Sequence, residues 1–224
     1  MAHLIKKNLL LIFFFSFTLL VFGQGEKDYV WTGASFNHQL TKKLDYNFGL
    51  EYRSEGLNTP RSKLVELGSA YQLSKNFNFK AGMRFSDDYN SDDRFRVHAD
   101  INAKWSKKKW PLKIQLRNRI QHSFISNSNE EFSVYRSKLK LSWKLIKRMN
   151  FYSGFEYFFK FGEKNQWDGE RFFVGLNAKF KNGLGCSLTY LVDEELNKKR
   201  VDIRRVYAIG LSYTLKRKSK RKAN

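Results

Sequence analysis

The segment from Leu44 to Arg53, LDYNFGLEYR, alternates without a break. In an extended chain successive side chains point to opposite faces, so Leu44, Tyr46, Phe48, Leu50 and Tyr52 share one face. Asp45, Asn47, Gly49, Glu51 and Arg53 share the other. A helix would scatter the same residues around its circumference, so the segment reads as a strand with one apolar, aromatic face. Equivalent segments recur down the chain. Phe77 to Phe85, Phe95 to Trp105, Leu112 to Leu116, Phe151 to Phe161, Phe172 to Phe180, Leu184 to Tyr190 and Ile203 to Tyr213 all repeat the period of two.

The start of the chain differs. Lys6 and Lys7 precede a 14-residue run from Leu9 to Phe22, and Val21-Phe22-Gly23 precedes Gln24. A basic lead, a short apolar stretch and a cut before Gln24 make residues 1–23 a cleaved secretory signal peptide, because the run falls short of the ~20 residues of a spanning helix. No cysteine stands directly after the run, at the expected cut, to take a lipid anchor. Residues 24–215 then form one β-barrel domain, and residues 216–224 a basic periplasmic tail, with six Lys or Arg among the seven residues Lys216 to Lys222. Cys186 is the only cysteine, so neither an intrachain disulfide nor a cysteine metal cluster is available, and no cofactor is expected.

The count is about eleven strands, within a range of ten to twelve, joined alternately by short turns and longer loops. Around Lys42, Lys75, Lys108, Lys147 and Lys181 the turns carry only basic charges, while acidic residues gather in the loops between. Ten-residue strands with an apolar outward face suit a tilted crossing of a bilayer, and a sheet in lipid must close on itself to leave no unpaired edge. The expected fold is therefore an all-β, antiparallel transmembrane β-barrel. Trp105, Trp110, Trp143, Phe151 and Tyr213 beside the short turns suit an aromatic belt at one interface. An even strand number would keep both ends of the barrel in the periplasm. That favours ten full strands, with Asp28 to His38, whose alternation is mixed, as an irregular segment in the lumen. Within Leu112 to Phe124, Asn118 and His122 fall on the apolar side, which a bulge near Asn118 would remedy.

A set of residues spread along the mature chain resembles the bacterial family called domain of unknown function 2490. Trp31-Thr32-Gly33, Leu40 to Leu44 leading into Glu51-Tyr52-Arg53, Arg94-Phe95-Arg96 after an acidic loop, Arg117, Arg119, Tyr135-Arg136, Glu156, and Arg171 followed by Gly175 carry the likeness. The resemblance implies a barrel-like outer-membrane protein of Bacteroidetes-type bacteria with no assigned reaction, and it transfers no catalytic residue.

The inward face is where function would sit. Arg84, Arg94, Arg96, Arg117, Arg119, Arg136 and Arg171 stand among Glu51, Glu66, Asp100 and Glu156 on the faces opposite the apolar ones. Arginines and carboxylates confined together form charge-assisted, often bidentate pairs. The favoured reading is a structural barrel in the outer membrane of a Gram-negative bacterium, its lumen bridged by salt bridges, with outer-membrane lipid and the barrel-assembly machinery as partners. Three alternatives remain: an anion-favouring passive channel taking small anionic solutes, an outer-membrane hydrolase, and a soluble exported β-sandwich. Catalysis is disfavoured because His122 and Ser123 are adjacent and so point apart, while His98 beside Asp100 reads as a wall residue. A net charge of +21 can signal nucleic-acid binding, but an exported, membrane-patterned chain argues against that partner.

Overall fold

The computed structural model describes residues 27–89, 91–106, 110–128, 130–162, 165–196 and 202–216. The expected signal peptide, residues 107–109, expected as a basic turn, and all but the first residue of the expected basic tail lie outside the described residues. Eleven strands follow in order: β1 Lys27–Gln39, β2 Leu44–Glu55, β3 Thr59–Gln72, β4 Phe77–Asp88, β5 Arg94–Ser106 and β6 Leu112–Ile125 come first. β7 Glu131–Ile146, β8 Met149–Phe161, β9 Gln166–Lys179, β10 Leu184–Glu195 and β11 Asp202–Leu215 complete them. Each strand pairs with its predecessor, and β1 meets β11 to close the barrel. Every pairing is antiparallel except this last one, which runs parallel from Lys27↔Arg204 to His38↔Leu215. A sandwich is thereby excluded.

Closure on an odd number of strands corrects the even-number expectation. The segment from Asp28 to His38 is not an irregular occupant of the lumen but most of a full wall strand, with β2 on one side and β11 on the other. Its alternation looks mixed because its inward side carries Tyr29, Trp31 and Gly33, two aromatics and a glycine where other strands place charge. As a result β1 begins at one rim of the barrel and β11 ends at the other.

The period-two pattern sets the two faces. Leu67, Leu188, Ile209 and Leu211 are 48%, 56%, 50% and 62% exposed, and large apolar residues of this kind continue around the whole outside. Scattered exposed leucines are ordinary, whereas a continuous apolar girdle marks a surface made for a non-aqueous neighbour. Aromatic pairs lie near both edges of the girdle. At one edge are Trp143 and Phe151 (ring centroids 5.6 Å apart), Phe77 and Trp105 (6.4 Å), and Phe36 and Tyr213 (6.1 Å). Near the other, Trp167 packs edge-on against Tyr157 and Phe159, both at 5.4 Å.

The rims differ in charge. Connections 40–43, 73–76, 147–148 and 180–183 carry Lys42, Lys43, Lys75, Lys147, Arg148 and Lys181 and no carboxylate, and we refer to this end as the basic rim. At the opposite, acidic rim, the described connecting residues carry Asp92, Asp93 and Glu130 and no cation. The expected contrast in connection length is not present. Strands run on into stretches read as loops: Trp167 and Asp168 belong to β9, Asp193 to β10, and residues 56–58 alone join β2 to β3. Polar residues near the acidic rim stay extended because their neighbours complete the backbone ladder.

No bulge occurs at Asn118 either. β6 pairs in continuous register with β5 and β7, leaving Asn118 and His122 on the outer face. Their polar atoms find partners there instead. Asn118 Oδ1 accepts from Tyr135 Oη (2.8 Å) and Ser137 Oγ (2.9 Å), and His122 Nδ1 lies 2.9 Å from Ser133 Oγ. Register shifts fall elsewhere, at Arg53/Ser54, Lys144/Ile146 and Phe158/Phe159. The Asn182-Gly183 turn behaves as its sequence requires: Gly183 has φ of +89°, a conformation that side chains with Cβ resist.

Inside, the barrel has an apolar cluster of its own. Tyr152, Phe173, Leu191 and Val206 are buried together, with Tyr29 and Trp31 packed against them. Gly154 lies opposite Phe173 on β8, and the ring occupies the space a side chain there would need.

Candidate functional site in the barrel lumen

Register carries all ten charged residues singled out from sequence to the inner face: Glu51 on β2, Arg84 on β4, Arg94, Arg96 and Asp100 on β5, Arg117 and Arg119 on β6, Arg136 on β7, Glu156 on β8 and Arg171 on β9. They do not form one uniform cluster. Glu156 is the focus, with no exposed surface at all. Its Oε1 receives Arg117 at 2.5 Å and Arg136 at 2.9 Å, while Arg171 and Lys138 stand 3.8 and 4.0 Å from Oε2. Four cations from β6, β7 and β9 therefore converge on one carboxylate of β8.

Other carboxylates pair more simply. Asp100, 1% exposed, takes a two-pronged contact from Arg119, Nε to Oδ1 at 2.6 Å and an Nη to Oδ2 at 2.9 Å. The two residues face each other directly across β5 and β6. Glu66 accepts from Arg84 Nε at 2.8 Å, and Glu51 from Arg53 Nε at 2.6 Å. Asp193 accepts from Arg171 at 3.0 Å and Arg204 at 3.2 Å, and Arg204 also bonds Glu195. Forked arginine contacts of this kind fix geometry, and their attraction offsets part of the desolvation penalty of the buried carboxylates.

Aromatic rings tie the charges across the lumen. Trp31 lies between Arg53, 4.0 Å from its ring centre, and Arg171 at 5.5 Å, which links β2, β1 and β9. Arg136 and Arg171 both approach Phe158, at 4.7 and 5.2 Å. Lys138 stands 4.2 Å over Phe173. Such cation–ring contacts each contribute about 0.5–2 kcal/mol when desolvated.

Two of the ten residues stay outside this pairing. Among the described residues Arg94 and Arg96 have no carboxylate within ion-pair distance: Arg96 Nε donates to Ser123 Oγ at 3.1 Å, and Arg94 approaches the Phe132 ring. Sequence reasoning missed Trp31, Arg53, Lys138, Asp193 and Arg204 as members of the network. Period two had already placed Arg53, Lys138 and Arg204 inward, so their signal was present. Asp193 was obscured because Asp193-Glu194-Glu195 resembles a loop.

Toward the basic rim the inner wall changes character. A cavity of about 390 Å³ runs along β9, β10, β11, β1, β2 and β3, with Ser35, Asn47, Asn177, Lys179, Ser187 and Ser212 on its wall and Glu51, Glu66 and Arg84 at its inner end. Among the described residues, no group of three or more His, Cys, Asp or Glu is placed to hold a metal ion. His122 and Ser123 point to opposite faces, one toward Ser133 and the other accepting from Arg96.

Comparison with known proteins agrees with this architecture. No curated protein matches the sequence significantly. Among solved structures, a NanC porin in a rhombohedral crystal form superposes with a TM-score of 0.56 at 15% identity, covering 84% of this chain and 99% of that one. At that identity the likeness concerns the fold. The family described as "Protein of unknown function (DUF2490)" matches residues 28–205, from the second residue of β1 into β11, and the chain belongs to that family.

Proposed function

We propose that the protein is a β-barrel of the Gram-negative outer membrane whose lumen is closed by its own side chains, a structural wall element rather than an open pore. The observation that carries this reading is Glu156, wholly buried on the inner face of β8 and gripped by Arg117, Arg136, Lys138 and Arg171. A water-filled pore would leave such groups solvated, whereas here Lys138, Arg136 and Arg171 pack against the rings of Phe173, Phe158 and Trp31, which favours a filled lumen. The outer face supports the location. An apolar girdle with aromatic pairs near both edges matches what a barrel presents to lipid and its two interfaces. Outer-membrane lipid covers that face, the basic rim faces the periplasm, and the barrel-assembly machinery inserts the chain.

Membrane fractionation with a gel comparing heated and unheated samples tests location and closure; a soluble protein with no mobility shift refutes both. Planar-bilayer recording tests the closed lumen, for which the expected result is no steady conductance. A second reading, an anion-favouring channel, draws on Arg94 and Arg96, cations without a carboxylate partner among the described residues. It predicts conductance whose anion preference falls in the Arg94→Gln/Arg96→Gln variant, and an unchanged preference refutes it.

A further inference from the structure

Charge inside the barrel is divided along its axis. The buried carboxylates Asp100, Glu156 and Asp193 are each held by arginines. Closer to the basic rim, Lys104 on β5, Lys113 on β6, Lys140 on β7 and Lys179 on β9 occupy inward positions, as their registers with Gln115, Ser142, Gly154 and Gly185 show. Lys113 lies within electrostatic reach of Lys104, Lys140 and Lys179, and Lys140 within reach of Lys179. All four thus face the same, basic-rim end of the lumen, Lys179 on the wall of the cavity there and the other three on the neighbouring strands β5, β6 and β7. Among the described residues none of them has a carboxylate within 4.0 Å. Asp45, the inward carboxylate nearest this rim, sits on β2 beside Gln39 and Ala70 and pairs with none of them.

Four like charges on the inner wall of a narrow barrel focus a positive potential and call for a counter-ion. The opposite wall is shaped to admit one. Gly33, Gly49 and Gly210 leave the cavity open, and Ser35, Ser187 and Ser212 with Asn47 and Asn177 line it with hydroxyl and amide groups able to donate. Its volume of about 390 Å³ is within the range of small-molecule sites. Glu51 and Glu66 at the inner end, paired with Arg53 and Arg84, oppose passage of an anion farther along the axis.

We infer that this end of the lumen is a blind binding site for a soluble polyvalent oxyanion, bearing phosphate or carboxylate groups and entering from the basic rim. One anion bridges ammonium groups that would otherwise repel, and the serine and asparagine side chains donate to its remaining oxygens. A single negative charge cannot serve several lysines at once, which is why the site selects polyvalent ligands.

The test uses the full chain folded in detergent micelles, with sodium pyrophosphate as the probe, read by isothermal titration calorimetry and by ³¹P line broadening. Saturable binding that weakens with added salt is expected, with no response to sucrose. The Lys113→Gln/Lys179→Gln variant should bind about tenfold more weakly or worse, the order expected when charge-assisted bonds are removed. Lys75→Gln/Lys181→Gln removes the same charge from turns outside the lumen and should leave affinity unchanged. Ser35→Leu fills the cavity without altering charge, so it decides the matter if the lysine variant fails to show a heat-dependent mobility shift; it should abolish binding. Native protein that does not bind pyrophosphate, equal losses in the two lysine pairs, or full affinity in Ser35→Leu each overturn the inference. The site stands apart from the closed-lumen reading: a conducting barrel that still binds pyrophosphate refutes closure alone, and a silent barrel that does not bind it refutes the site alone.

Discussion

Replacing Glu156 by glutamine keeps the volume and one carbonyl acceptor but removes the charge that four cations share. Arg117 and Arg136 approach the same oxygen at 2.5 and 2.9 Å, so their nitrogens lie within about 5 Å of each other, where like charges repel by about 3 kcal/mol at an effective dielectric of ~20. Arg171 and Lys138 add to that, although Arg171 keeps Asp193 as a second partner. Removing one member of a buried ion pair usually destabilises by about 3–5 kcal/mol, because the remaining charge stays desolvated. The expected loss for Glu156→Gln is therefore about 3–5 kcal/mol, read from the guanidinium midpoint of the barrel in micelles with the heat-dependent gel shift as the folding signal. Glu156→Gln/Arg136→Gln should recover at least about 1 kcal/mol of it, since one unpaired cation is removed with the carboxylate. A midpoint for Glu156→Gln within about 0.5 kcal/mol of the native value, with no recovery in the double variant, would show that the network is solvated and refute the closed lumen.

Arg119→Met should destabilise by about 3–5 kcal/mol by leaving buried Asp100 without its forked partner, and Asp100→Asn/Arg119→Met by clearly less, measured as a double-mutant cycle in the same unfolding assay. Leu188→Arg on the outer face should reduce barrel stability in lipid by about 2–4 kcal/mol, whereas an aqueous outer face would make it nearly neutral; refolding yield into vesicles distinguishes the two. Gly183→Ala forces a residue with Cβ into φ of +89° and should cost about 1–2 kcal/mol, while Asn182→Gly should cost less than about 0.5 kcal/mol in the same unfolding measurement.

Much of the wall was legible because period two is a local property. Once Phe77, Phe79 and Met83 alternate with Asn78, Lys80 and Arg84, the inner and outer faces follow whatever the neighbouring strand does. Strand ends were less legible, since ladder pairing and not side-chain character holds Trp167 and Asp193 extended. Asn118 exposes a different limit. A polar residue on an apolar face signals a register shift only if it lacks partners there, and Tyr135 and Ser137 come from a strand whose register no local pattern reveals. The inward charges were readable as a set, yet their pairings were not. Glu156 draws Arg117 and Arg136 from β6 and β7 and Arg171 from β9, and only the three-dimensional ring brings those side chains to one point.

The parallel seam has a consequence for ring parity. β1 is antiparallel to β2 and parallel to β11, so β2 and β11 run in opposite directions. If β1 were withdrawn, the strands left facing each other across the gap would already have the orientation that an all-antiparallel ring of ten requires. β1 thus acts as a wedge, widening the ring by one strand, because diameter grows with strand number. It also carries Trp31 into the space it creates, between Arg53 and Arg171. The same strand that makes the bore too wide for a ten-strand packing supplies the indole that helps to fill it.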